Sequence, residues 1–254
     1  MKTVIISDVH AYYESLVALE EKEKTWDKLL FVGDAVDAGL LAHETLTWLR
    51  EHDAICVLGN HDAKILGMID EGKPRVDPEK AENFAEFNIA TMTDEDAAYL
   101  RTFPVERVET IDGITYCMMH VYQHEYGDDE AINHQMRDYN YITKGVAYWE
   151  EKVGPTAGTR VLLVGDTHMA MYLQMRPDLF FMNPGAMGYL LGEDHKFPGG
   201  QYIVVEDGAV SLRTVDYDAT DSYNRVLTNG FKGYDKTAGI NQYRPCAKGA
   251  KKDN

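Results

Sequence analysis

The chain has 254 residues and a formal net charge of −17 at pH 7, long enough for one layered α/β domain with a sizeable core. Its acidity disfavours a protein that grips long nucleic acid by neutralising phosphates with Lys and Arg, so a phosphate-handling site would need to bring its positive charge as bound metal. Three cysteines, odd in number and with Cys56 and Cys117 inside core-like strands, fit packed thiols in a reducing compartment better than a disulfide frame. The first apolar run is short and opens into Asp8, and no run approaches membrane-spanning length, so a cytoplasmic protein without a membrane segment is expected.

In chain order, strand and helix first alternate. Thr3 to Ile6 is an apolar run, Tyr13 to Lys24 spaces Leu16, Val17 and Leu19 as an amphipathic helix, and Leu29 to Val32 is the second strand. Gly39 to His52 carries Leu46, Trp48 and Leu49 on a helical pattern before the strand at Ala54 to Leu58. This β-α-β-α-β order implies parallel strands joined by right-handed crossovers. Ala63 to Ile69 and Pro78 to Met92 read as helices, and Thr93 caps a third that Pro104 ends. Val105 to Ile111 and Ile114 to Met119, separated by Asp112-Gly113, form a hairpin that opens a second, largely antiparallel strand set. The Tyr-, Asp- and Glu-rich stretch from Val121 to Gly158 reads as a cap or rim over the site, with one or two helices within Ala131 to Lys152. Arg160–Val164, Ala170–Met175, Leu179–Met182, Gln201–Val205 and Ala209–Val215 read as further strands. One domain is expected over residues 1–217. Residues 218–254 then form a C-terminal helix and a polar, disordered tail.

Five strands end in groups that bind metals or move protons. The first runs into Asp8-Val9-His10, the second into Gly33-Asp34, the third into Gly59-Asn60-His61-Asp62, the hairpin's second strand into His120, and the next into Gly165-Asp166-Thr167-His168. Alone, Asp34 and Asn60 are ordinary turn residues and His120 a satisfied core-edge histidine. Together they point to one crevice, because ligands of open α/β sheets collect beyond the carboxyl ends of the strands. His10, two residues after Asp8, falls on the same side of an extended chain, which makes a shared metal easy. His124 reads as an ordinary residue of the cap rather than an extra ligand, and His43, His52, His134 and His195 read as surface residues.

In this order and spacing, Asp8-Val9-His10, Gly33-Asp34 with Asp37 and Gly39, Gly59-Asn60-His61-Asp62, His120 and Gly165-Asp166-Thr167-His168 resemble the calcineurin-like metallophosphoesterases. The likeness covers Met1 to about Tyr217, and Ala63–Gly67 with Thr93–Pro104 is similar to the small bacterial and archaeal phosphodiesterases and phosphatases. It implies an α/β fold: a four-layer α-β-β-α sandwich of two mixed β-sheets with two divalent metals above the strand ends. By this resemblance Asp8, His10 and His168 hold the first metal, Asp34 bridges, and Asn60 and His120 hold the second. His61 then stands beside the leaving group as an acid. Asp37 orients that imidazole, with Asp62 the alternative for the role or else a helix cap. Two metals about 4 Å apart clamp a phosphate and acidify the water between them. The mixed nitrogen and oxygen donors suit Mn, Fe, Zn, Ni or Mg.

Two departures from the family pattern matter. Asp166 stands where the family carries a histidine ligand of the second metal. Either the carboxylate coordinates and moves preference toward Mn or Mg, or the second site is weakened and fills only with substrate; manganese is the favoured expectation. Ala38 stands where protein serine/threonine phosphatases carry an arginine, which argues against a phosphoprotein substrate. The expected activity is hydrolysis of a small phosphodiester or phosphomonoester such as a nucleotide, with the tyrosines from Tyr122 to Tyr148 offering faces to a base or sugar. The competing reading is a protein-binding scaffold of the same fold, which has no reason to retain Asp8, His10, His61 and His168 together. A nuclease acting on long DNA or RNA fits the acidic surface poorly.

Overall fold

The computed structural model describes residues 1–121, 134–154, 158–188, 199–243 and 246. Its organising strand is β1 (Lys2–Ile6), apolar from Val4 to Ile6 because it is covered there on both faces. Parallel partners β2 (Lys28–Phe31) and β3 (Ile55–Cys56) extend the sheet on one side. On the other lie antiparallel β9 (Gly200–Glu206) and β10 (Ala209–Val215), giving the order β10-β9-β1-β2-β3.

The second sheet contains β4 (Glu106–Ile111), β5 (Ile114–Met119), β6 (Thr159–Leu163), β7 (Met171–Arg176) and β8 (Leu179–Asn183) in the order β4-β5-β6-β8-β7. The hairpin lies where the Asp-Gly signal puts it, with Asp112 and Gly113 both at positive φ as a two-residue hairpin turn requires. The sheet is mixed, not largely antiparallel: β5, β6 and β8 run parallel. Helix α6 (His134–Val153) makes the long crossover that parallel β5 and β6 need, and β7, which pairs antiparallel with β8, turns the chain so that β8 runs parallel to β6.

Side-chain alternation defines four layers. Val4, Ile6 and Phe31 pack under α1 (Tyr13–Glu23), α2 (Ala42–Glu51), α3 (Asn60–Asp70), α4 (Phe84–Thr91) and α5 (Asp94–Leu100). Ile5, Leu30 and Val32 face the other sheet and meet Tyr116, Met118 and Leu163. Cys117, Met119, Leu162 and Val164 on the far side lie beneath Trp149 of α6. The fold is therefore an α-β-β-α sandwich.

Four expectations need correction. The segment from Val121 to Gly158 is not simply a rim, because the C-terminal half of α6 forms the outer layer of the second sheet; residues 122–133, with His124, lie outside the described residues. Tyr148 donates its hydroxyl to Glu106 at the sheet edge rather than offering its face to a ligand. Pro78 to Met92 is not one helix: Pro78–Lys80 is an isolated 3-10 turn, and α4 starts afresh where the Asn83 side chain accepts from Glu86 N. Beyond α7 (Thr220–Thr228), part of the expected polar tail is a further helix, α8 (Gly233–Tyr243). Its Tyr243 is fully buried, stacks on Tyr12 at 4.3 Å and accepts a hydrogen bond from Leu40 N; with Ile240 packed in the same cluster, it docks an otherwise polar segment. No helix among the described residues is long and apolar enough to cross a membrane.

The base of this sheet is tied by Glu23, which accepts from Lys2, Arg213 and the Tyr202 hydroxyl. Burial opposes its ionisation, but these donors outweigh it and hold the carboxyl down at about 2. A depressed carboxyl contributes stability that is present above its unfolded value and lost as pH falls through the folded one. Glu23→Gln should therefore cost about 2 kcal/mol at pH 7. In thermal melts, its deficit against the parent chain should shrink between about pH 4.5 and pH 2; a deficit independent of pH would remove the charge from the account.

Candidate metal centre and active site

Three of the strand-to-loop turns at the carboxyl end of the two sheets, after β1, β2 and β6, turn left-handed. Asp8, His10, Ala11, Asp34, Asp37, Ala38, Asp166 and His168 all have φ between 51° and 68°. They are eight of the twelve non-glycine residues with positive φ among those described. Each such residue carries strain of about 1 kcal/mol or more, and such strain clusters at functional sites. Asp8 and His10 therefore do not share a side by strand alternation; the left-handed turn between them brings both inward. Two glycines then admit the donors at close range. A Cβ on Gly59 would lie 2.0 Å from Asp34 Oδ1, and one on Gly165 would lie 2.3 Å from Ser7 Oγ and 2.9 Å from Asp8 Oδ2.

The donors converge. His10 Nε2 lies 3.2 Å from His168 Nε2, and Asp8 Oδ1 lies 3.1 Å from His168 Nε2 and 3.8 Å from both His10 and His120. Asp34 Oδ2 stands between His120 Nε2 at 3.2 Å and His10 Nε2 at 3.6 Å. Three groups thus form, each with its donor atoms mutually within 4.8 Å: Asp8-His10-His168, Asp8-Asp34-His120 and His10-Asp34-His61. Asp8 is as central as Asp34, which its place in the sequence does not reveal.

These residues fit metal. Among the described residues, neither carboxylate oxygen of Asp8 nor Nε2 of His120 has a hydrogen bond of acceptable geometry, although all are buried; buried polar atoms left in that state are costly. Donor spacings of 3.1–3.8 Å suit ligands sharing an ion through bonds of about 2.1 Å. His120 Nδ1 donates to the Val32 carbonyl, which aims Nε2 inward. Burial pushes the His10 imidazole down to about 3, leaving it neutral with a lone pair to give. Burial opposes charge on His120 too, but Asp34 and Asp8 raise it well above its ordinary value; the carboxylates that draw a proton there also draw a cation.

Beside this cluster, His61 Nδ1 lies 2.8 Å from Asp37 Oδ2, and Lys64 Nζ reaches the same oxygen at 2.6 Å. Burial opposes charge on His61, but Asp37 and Asp34 together raise its pKa. Burial likewise opposes ionisation of Asp37, and His61 and Lys64 hold it well below the usual carboxylate range. Asp62 is not the orienting group. It sits in the first turn of α3 and accepts backbone N–H bonds from Gly59, Asp34, Ala35 and Val36 at 2.8–3.2 Å. The helix starts at Asn60 rather than Ala63, with Gly59 as its N-cap.

The family model for calcineurin-like phosphoesterases matches residues 1–195. The chain belongs to this family. A symmetrical bis(5′-nucleosyl)-tetraphosphatase of Methylobacillus flagellatus is 38% identical over 73 residues, which are 27% of this chain and 26% of that protein. The namesake from Methylococcus capsulatus is 35% identical over 125 residues, covering 47% of this chain and 42% of its own. The chain therefore spans less than half the length of these relatives. The crystal structure of a metallophosphoesterase from Sphaerobacter thermophilus superposes with a TM-score of 0.68 over 95% of this chain and 99% of that one, at 21% identity, a likeness of fold. The family works through a centre of two divalent metals, for which the three donor groups are the candidate ligands.

In this member of the family, the structure brings together Asp8, His10, Asp34, His61, His120 and His168, with Asp37 behind His61. Asn60 is exposed, in the first turn of α3 beside the Gly59–Asp34 contact. Asp166 is buried near enough to His120 to raise its pKa but belongs to none of the three groups. Supporting residues went unread in the sequence. Asn88 accepts from Asp37 N and donates to the Gly39 carbonyl, and Asn183 donates to the Gly165 carbonyl. A buried asparagine within a helix, as Asn88 is, was the available signal. His43 and His52 bond to Asp96 and the Trp48 carbonyl, away from the site; His195 and the His134 side chain lie outside the described residues.

Proposed function

We propose that the chain is a metal-dependent phosphoesterase that hydrolyses a small phosphodiester or phosphomonoester, a nucleotide in particular. The observation that carries this reading is the convergence of donors from four strand ends beside a His61–Asp37 pair on the fifth. Asp8, His10 and His168 would hold one divalent ion and Asp34 with His120 the other, joined by Asn60 and Asp166 at its rim; manganese is our favoured ion. When bound, such ions supply positive charge to a phosphoryl group and acidify water toward hydroxide near neutral pH. His61, its Nδ1 held by Asp37, keeps Nε2 to protonate the departing oxygen. Asp62 and Asn88 fix the turns that carry Asp34 and Asp37. The relatives named bis(5′-nucleosyl)-tetraphosphatases support a nucleotide substrate.

The test strips the protein with chelator, then titrates Mn, Ni, Zn and Mg while following bis-p-nitrophenyl phosphate, p-nitrophenyl phosphate and diadenosine tetraphosphate. Metal content is measured in parallel. Turnover that rises to a plateau at two ions per chain is the expected result. One tight ion with no turnover on any of the three would overturn the reading in favour of a scaffold.

A further inference from the structure

Next to His61 the protein has a pocket of about 340 Å³, set between α3, α4 and α8 and bounded by Asp37, His61, Lys64, Phe84, Asp235 and Ala238. Its volume is within the range of small-molecule sites, about 300–1,000 Å³. One wall comes from α8, beyond residue 195 where the family match ends. Asp235 has no task in the chemistry described above, and Lys64 has only that of pairing with Asp37. We propose that this pocket receives the leaving group and selects a nucleoside phosphate, with Lys64 pairing to its phosphate and Asp235 accepting from the hydroxyls of its sugar. The proposal rests on the phosphoesterase reading and adds to it the side of the substrate that α8 reads.

The geometry assigns the two ends. His61 protonates whatever departs, so the space that His61 borders is the leaving group's. The Lys64 ammonium is anchored on Asp37 at 2.6 Å yet half exposed, and its further N–H donors are free to meet an anion. Asp235 spends one oxygen on Phe84 N at 3.2 Å. A carboxylate only accepts, so it repels phosphate and suits the paired hydroxyls of a ribose, as acidic residues do in nucleotide sites. Cation near His61 and carboxylate farther along set one orientation: phosphate toward the metals, sugar toward α8.

The experiment compares the metal-loaded parent with Lys64→Met, Asp235→Asn and Ala238→Phe on two substrates: diadenosine tetraphosphate, whose leaving group has phosphate and sugar, and bis-p-nitrophenyl phosphate, whose leaving group has neither. Each variant should lower kcat/KM for the tetraphosphate about tenfold, the loss of one charge-assisted hydrogen bond or of pocket space, and change the aryl ester less than threefold. ADP binding followed by calorimetry should weaken in step. ADP binding left at the parent's strength by Lys64→Met would reduce Lys64 to a support for Asp37 and overturn the proposal, whatever the kinetics on the two esters. So would unchanged tetraphosphate kinetics in Asp235→Asn and Ala238→Phe with their melting temperatures intact. A parent inactive on both esters would instead remove the phosphoesterase reading, and ADP binding to parent and variants would still decide the pocket.

Discussion

His61→Ala lowers turnover of a nucleotide ester by about 10²- to 10⁴-fold, the range of a general acid, while metal content stays at the parent's level. The loss is smaller on bis-p-nitrophenyl phosphate, because p-nitrophenolate departs without a proton. Asp37→Asn gives a graded version. Asp37 helps hold His61 protonated above its ordinary range, so its removal moves the alkaline fall of kcat/KM to lower pH. Steady-state kinetics on the two substrates with metal analysis decide the matter. An equal loss on both, or loss of metal, would move His61 from the acid role into the ligand set, where its place in the His10-Asp34-His61 group would then be explained.

Asp62→Ala destabilises the chain by about 4 kcal/mol, because it strands four backbone donors in a buried place where each unmet partner costs about 1–3 kcal/mol. For a chain of this size that corresponds to roughly 10 °C in Tm. The same variant weakens metal binding about tenfold or more, since Asp62 holds the N–H groups of Asp34, Ala35 and Val36 in the turn that presents the Asp34 carboxylate. Asp62→Asn, with one carbonyl oxygen kept, falls between. Melting curves and metal titration of the three proteins check this, and a Tm within 2 °C of the parent for Asp62→Ala would show that water replaces the lost acceptor.

Much of the fold was legible because it follows from local rules. Strands buried on both faces are continuous apolar runs, as in Val4–Ile6 and Val161–Val164, and Asp112-Gly113 specifies its hairpin by backbone conformation alone. The register of the second sheet was not legible. Whether β5 pairs parallel or antiparallel with β6 depends on where α6 packs, which is a contact between residues far apart in sequence. The same limit applied to α8, whose polar composition conceals the buried Tyr243 and the packed Ile240 that dock it.

The amino-acid sequence by itself determined which chemical groups stand at the strand ends, and that they are of the kinds that bind metal and move protons, since strand termini and their glycines are local features. Only the tertiary structure decided how those groups share the space: that Asp8 is as central as Asp34, that Asp37 and not Asp62 holds His61, and that Lys64 and Asp235 face one pocket. Asp37 and Asp62 lie 24 residues and one residue from His61, so proximity in sequence kept Asp62 open as an alternative to the Asp37 that the family pattern indicated. Left-handed turns and the first turn of α3 redirect both carboxylates, and those angles are set by packing against the rest of the chain.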